Sequence, residues 1–242
     1  VLDRLGLLGR RRWPDPVPPP TPEAVALARA ALLAPPDEQP APAAVPRPPT
    51  TQGVDGPAVE LNVTLRHTRP RVWRRLAVPP SLTLRELHAV LQTAMGWEDY
   101  HLHLFEIDGV FYGDVEDFPG ELGDEETTTV GDVAARASRF RYEYDFGDGW
   151  EHDLRIGRRP VPAGPDRPRC LGGARACPPE DCGGVPGYQH LLELLADPAG
   201  AEDEDAELLE WLGDYDPDAF DATGIDELLE LYDRHTRQRR RR

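Results

Sequence analysis

The 242-residue sequence has no lysine, three cysteines, one methionine and, in Ser81 and Ser138, only two serines. Every basic residue is therefore an arginine, which with abundant Ala, Pro and Gly reads as the base composition of a GC-rich coding sequence more than as a function. Neither serine lies in a nucleophile motif: Ser81 precedes a helix start and Ser138 a strand. No apolar run approaches the roughly 18 residues that a membrane span needs. The opening VLDRLGLLGRRRWPD is too short and too charged for a secretory apolar region, so a cytoplasmic setting is expected. In a reducing compartment an odd count of cysteines reads as thiols or metal ligands before disulfides. G-x-S-x-G, Walker A, a dinucleotide G-x-G-x-x-G after a strand and H-E-x-x-H are all missing, so no motif by itself names a reaction.

Aromatics are nearly absent from residues 1–57, where Trp13 stands among PDPVPPPTPE and APPDEQPAPAAVPRPP. Such a segment buries too little apolar surface to offset its ordering entropy, so 1–57 is expected to be a Pro-rich flexible arm. Within it Thr21-Pro22-Glu23 starts a short helix over residues 24–33. The net charge is −17. Residues 189–233 hold many acids and no arginine, and the chain then turns abruptly to the Arg-rich tail 234–242. An acidic domain argues against reading duplex DNA, which leaves a protein partner as the expectation and nucleic acid only through the arginine tail.

Between arm and tail, residues 58–233 read as one folded domain. Val59, Leu61, Val63 and Leu65 alternate as in a half-buried strand, and a second strand fits residues 72–78. Thr83 and Glu86 form a capping box ahead of Leu84, Leu87, Val90, Leu91 and Ala94 at helical spacing, with Gly96 as the stop. A hairpin follows, residues 101–107 and 110–112 around Asp108-Gly109. Residues 113–138 read as an irregular acidic excursion. A second hairpin puts Phe140, Tyr142, Tyr144 and Phe146, then Trp150, His152, Leu154 and Ile156, on one face as the main core against the Leu87 side of the helix. Three helical patterns close the domain, over 188–195, 204–212 and 225–232, the second with Leu208, Leu209, Trp211 and Leu212 as its buried side. The fold class is α+β: a ubiquitin-like (β-grasp-like) ββαββ core extended by the aromatic hairpin and covered by C-terminal helices.

Carboxylates, a histidine and every cysteine crowd into residues 142–184. Cys170, Cys177 and Cys182 would bind Zn²⁺ with a fourth ligand from His152, His190, Glu180 or Asp181, or they are small buried residues of a loop stiffened by Pro178-Pro179 and turned by Gly183-Gly184. His152 near Asp145, Asp148 and Glu151 suggests acid–base work. Strand alternation instead places His152 with Tyr144 and sends Asp145 and Glu151 to the opposite face, leaving Asp148 in the turn. His101 and His103, two apart, share a strand face and either chelate together or bury.

Taken together, LNVTLRHTRPRVWRRLAVPPSLTLRELHAVLQTAMGW, HLHLFEIDGVFYG, YEYDFGDGWEHDL, CLGGARACPPEDCGGVPGY and WLGDYDPDAFD resemble the plasmid pRiA4b ORF-3-like family. The resemblance implies a protein of plasmids and transposable elements. The motif positions it carries over include His101, His103, Asp145, Asp148, Trp150, His152, Glu180, Asp181 and Tyr188 as candidate binding residues, and Cys170, Cys177 and Cys182 beside them. Two functions are expected from these observations. One is a non-catalytic binding or accessory module of a mobile element, whose 145–152 turn and 170–184 loop form one surface. The other is a metal-dependent hydrolase or zinc-stabilised nucleic-acid-processing accessory protein, with zinc on the cysteines and His152 and with Asp148 or Glu180 as base. Removal of residues 235–242 is expected to leave the thermal midpoint unchanged; a large drop would show that the arginine tail packs on the domain.

Overall fold

The computed structural model describes residues 57–114, 122–158, 161, 167–200 and 203–234. The expected arm and its helix over 24–33, and the tail beyond Arg234, lie outside them. One eight-stranded sheet forms from β1 (Val59–Leu65), β2 (Trp73–Val78), β3 (His103–Ile107), β4 (Val110–Gly113), β5 (Gly123–Asp124), β6 (Arg139–Tyr144), β7 (Trp150–Ile156) and β8 (Arg169–Ala174). The helices are α1 (Leu84–Met95), α2 (Val130–Arg136), α3 (Gly184–Ala196), α4 (Asp203–Leu212) and α5 (Ala222–Tyr232). Among the described residues no helix is long and apolar enough to cross a membrane.

The strand order is β5-β4-β3-β6-β7-β1-β2-β8, antiparallel at every pairing except β4 with β5. The α+β class holds and the chain order strand, strand, helix, strand, strand is present, but these strands do not pair into one ββαββ unit. The aromatic hairpin β6–β7 is not an extension; it lies between β3 and β1 and separates the first two hairpins. The reason is chemical. Phe140, Tyr142, Tyr144, Trp150, His152 and Leu154 are all buried, and the centre of the sheet is where a strand pair meets neighbours on both edges. Phe146 departs from the expected face, because β6 ends at Tyr144 and Phe146 sits half-buried in the turn.

The core face continues through Leu61, Val63 and Leu65 of β1 and Leu76 and Val78 of β2, while the opposite face carries Glu60, Asn62, Arg75, Arg141, Glu151 and Asp153. On that outer face Arg66 pairs with Glu151, as parity required. Helix α1 covers the core face. Its Thr83–Glu86 capping box is formed, and Gly96 ends it in a left-handed conformation. Asp108 and Gly109 both take positive φ, which is the turn that closes β3–β4. The described part of the acidic excursion from residue 122 onward is not irregular throughout, since it supplies β5 and the Thr129-capped α2. Helix α5 packs on β8 and α1. In α4, Leu212 is buried and Leu208 and Leu209 are half-buried, but Trp211 is 45% exposed and lies off the expected buried side.

Two polar features bind α1 to the sheet. Gln92 Nε2 donates to the Tyr142 hydroxyl (2.9 Å), that hydroxyl donates to His88 Nδ1 (2.8 Å), and His88 Nε2 donates to Asp99 (2.7 Å), a chain that closes with a neutral imidazole. Burial holds the His88 pKa below the ordinary range, in keeping with that neutral form. Its ring stacks on His103 at 3.5 Å, and His103 Nε2 meets the buried Glu125 at 2.8 Å. The second feature is Arg74, 3% exposed. It donates to Ala94 O in the last turn of α1, to Trp73 O and Ala174 O, and to Cys177 Sγ (3.1 Å), so the guanidinium sits at the negative end of the helix dipole.

His152 is fully buried, with Nδ1 donating to Tyr142 O (3.3 Å), and burial lowers its pKa to about 4. The unfolded chain therefore takes up a proton near pH 6.5 that the folded chain refuses until about 4, and stability falls as pH descends through that window. The loss attributable to this ring is about 3 kcal/mol at one pK unit per ~1.4 kcal/mol. In urea melts between pH 7 and 4, His152→Leu is expected to flatten the slope by that amount; an unchanged slope would mean that the ring titrates normally.

Candidate functional site

Three segments converge at one end of the core face: the connection from α1 to β3 (residues 96–102), the β6–β7 turn (145–149) and the loop from β8 to α3 (175–183). Trp97 anchors the first. Its ring stacks on Tyr144 (5.1 Å) and meets His152 edge-on (5.4 Å), and its Nε1 donates to Pro178 O (2.9 Å). Glu180 ties the loop to the other two elements, accepting from the Tyr144 hydroxyl (2.5 Å) and from Glu98 N (2.9 Å), while Tyr100 N donates to that same hydroxyl (3.0 Å). Burial and the neighbouring carboxylate push the Tyr144 pKa far up, so the phenol remains the donor.

The β6–β7 turn is longer than Gly-Asp-Gly. Asp145 takes a positive φ of 55°, its carbonyl accepts from Gly149 N, and its Oδ1 accepts from Gly147 N (2.9 Å) and Asp148 N (3.3 Å). The strand has ended before this residue, so alternation no longer governs it. Asp145 is buried, not turned to the outer face as parity suggested. Asp148 accepts from Gly183 N at 3.2 Å, and thereby caps α3 from a different part of the chain, since the N-cap residue Gly183 has no side chain to do so. Desolvation, with Asp145 next, raises the Asp148 pKa. Gly184, at φ 65°, has no room for a Cβ, which would stand 2.4 Å from Asp148 O. The turn and the cysteine-rich loop are thus in direct backbone contact.

His101, Asp145 and Asp181, one from each segment, meet here. His101 Nε2 lies 3.3 Å from Asp181 Oδ1 and 3.6 Å from Asp145 Oδ2. Among the described residues these form the one group of three His, Cys, Asp or Glu side chains whose ligand atoms all lie within 4.8 Å of one another. The expected zinc set of Cys170, Cys177, Cys182 and His152 is therefore not assembled. Cys177 Sγ is held by Arg74 and Met95 Sδ (3.3 Å), and Cys170 Sγ donates to Gly172 O (3.9 Å). All three are free and buried, and burial raises each thiol pKa, Cys177 to about 11 although Arg74 acts to lower it. His152 meets Trp97 edge-on and is not part of the group that Asp145 joins.

The other candidates divide between frame and rim. Trp150 and Tyr188 are core residues at 0% and 1% exposure. His101 and His103 do not share a partner: β3 begins only at His103, which turns to Glu125. His190 pairs with Asp205 at the surface between α3 and α4. Sequence reasoning missed His88, Asp99 and Glu125, although the spacing of His88 from Leu84, Leu91 and Gln92 places it on the buried side of α1. It also missed Tyr100, which stands beside His101 and is 73% exposed.

Comparison with known proteins bears on this arrangement. The family described as "Plasmid pRiA4b ORF-3-like protein" matches residues 57–224. A protein of Sinorhizobium fredii described as "Uncharacterized protein y4hQ" is 41% identical over 190 residues, which cover 75% of this chain and 97% of that protein. The crystal structure of MM3350 from Methanosarcina mazei Go1, described as a protein of unknown function, is similar with a TM-score of 0.62 and 36% identity, over 69% of this chain and 96% of that one. All the converging segments fall inside the matched span, and the chain belongs to the plasmid pRiA4b ORF-3-like family.

Proposed function

We propose that the chain is a non-catalytic recognition module of the cytoplasm, serving a plasmid or other mobile element and docking a protein partner on the surface where the three segments meet. The observation that carries this reading is the contact between the two motif segments, in which the Asp148 carboxylate caps α3 and the Asp148 carbonyl leaves Gly184 no room for a side chain. Residues spent on holding two loops rigid are consistent with a presented surface. The strongest chemical candidates of the sequence support the non-catalytic side of the proposal, because His152 and the three thiols are buried and kept neutral by that burial.

The rim supplies the contacts. Tyr100 is 73% and Leu102 38% exposed, and the Tyr100 hydroxyl has the carboxylates of Glu98 and Glu180 for neighbours. An exposed aromatic beside negative charge suits a partner that offers a basic, partly apolar segment. The family description names a plasmid reading frame, and a protein that binds DNA through its phosphates carries a basic surface, so such a protein fits the proposed role.

A photo-crosslinking residue in place of Tyr100 is expected to trap a discrete protein in cells that carry the element, and the same residue at exposed Gln189 on α3 is not. Equal trapping at both positions, or none at 100, would refute the docking surface. Gly184→Ala is expected to cost about 2 kcal/mol through the left-handed backbone and the collision with Asp148. An unchanged urea midpoint would show that the two segments are not in tight contact.

A further inference from the structure

We propose that His101, Asp145 and Asp181 bind a single divalent transition-metal ion, a use of this surface that goes beyond partner docking. Three observations converge on it, and none involves the cysteines. The first is spacing. Around an ion held at about 2.0–2.2 Å by nitrogen and oxygen, adjacent tetrahedral ligand atoms stand about 3.4 Å apart. The Nε2–oxygen separations of 3.3 and 3.6 Å fall on either side of that value.

The second is orientation. His101 Nε2 is buried and makes no hydrogen bond, although two carboxylate oxygens lie close to it. A buried ring nitrogen in that position either holds a proton that neither oxygen accepts or aims a lone pair at negative charge, and both are costly. A cation among the three atoms removes the cost, because it accepts the lone pair and neutralises the carboxylates. Asp145 is oriented for the purpose: both amide hydrogen bonds fall on Oδ1, which leaves Oδ2 directed at His101.

The third is charge and preorganisation. Among the described residues Asp145 and Asp181 form ion pairs with His101 only, and the Asp148 carboxylate, near enough to both to feel their charge, adds a further negative group. The ligands come from separate segments that are already held in place by Trp97 on Pro178, by Tyr144 on Glu180 and by Asp148 on Gly183. One imidazole and two carboxylates suit ions of the Zn²⁺ or Mn²⁺ kind. The Asp181 side chain is 50% exposed, so the remaining coordination positions open to solvent.

The test uses the full chain, purified without a tag, stripped with chelator and dialysed against Zn²⁺ or Mn²⁺ in turn, with bound metal counted by plasma mass spectrometry. A single ion per chain is expected, with affinity reduced about tenfold or more in both His101→Ala and Asp181→Asn. Asp181→Asn lies at the exposed rim and is expected to keep the wild-type thermal midpoint, so its loss of metal reports the site and not the fold. Tyr100→Ala is expected to retain the ion, which separates failure of this site from failure of the docking surface. No ion retained by the wild type, or an ion held equally by His101→Ala and Asp181→Asn, would overturn the proposal.

Discussion

The placement of the β6–β7 hairpin in the middle of the sheet is the constraint from which the remaining architecture follows. Its rings bury on one face only, so that face needs a cover, and α1 supplies it. The cover is registered by polar contacts as well as by area: the chain from Gln92 through Tyr142 and His88 to Asp99 requires each donor to meet its acceptor, and it admits one alignment of helix on sheet. Apolar packing alone would tolerate some sliding. Because the chain runs through a neutral imidazole, the same burial that stabilises the core also makes the protein sensitive to acid.

From that registered core the functional end is assembled by reuse of core groups. Trp97 leaves α1, stacks on Tyr144 and reaches Pro178 with its indole nitrogen. Tyr144 belongs to the core by its ring and to the surface by its hydroxyl, which bonds Glu180 and Tyr100. Arg74 plays the corresponding part on the far side, joining the end of α1 to β8 and to the cysteine loop. A buried guanidinium spread over carbonyls and a sulfur is costly to desolvate and useful only if its partners stay fixed, which favours a single arrangement of that loop.

The cysteines show how composition can mislead about chemistry. Their crowding near carboxylates suggests zinc, yet Cys177 packs between an arginine and a methionine and Cys182 lies under the turn as a small apolar residue. Ligand atoms converge instead on His101, Asp145 and Asp181. Two of these take positive φ, at 55° for Asp145 and 57° for Asp181, and alternation rules say nothing about side chains on such residues.

What the sequence by itself determined is local. The α1 helix with both caps, the Asp108-Gly109 turn and the buried face of the β6–β7 hairpin were all legible, because capping, positive-φ turns and period-two alternation are short-range in cause. The family was legible for the same reason, in contiguous motifs. Only the tertiary structure decided the strand order, the pairing of His103 with Glu125, the capping of α3 by Asp148 and the meeting of His101 with Asp145 and Asp181. Each of these joins residues from separate segments of the chain, and which of many polar groups meet is set by how the sheet closes around its central hairpin, a property that no local pattern encodes.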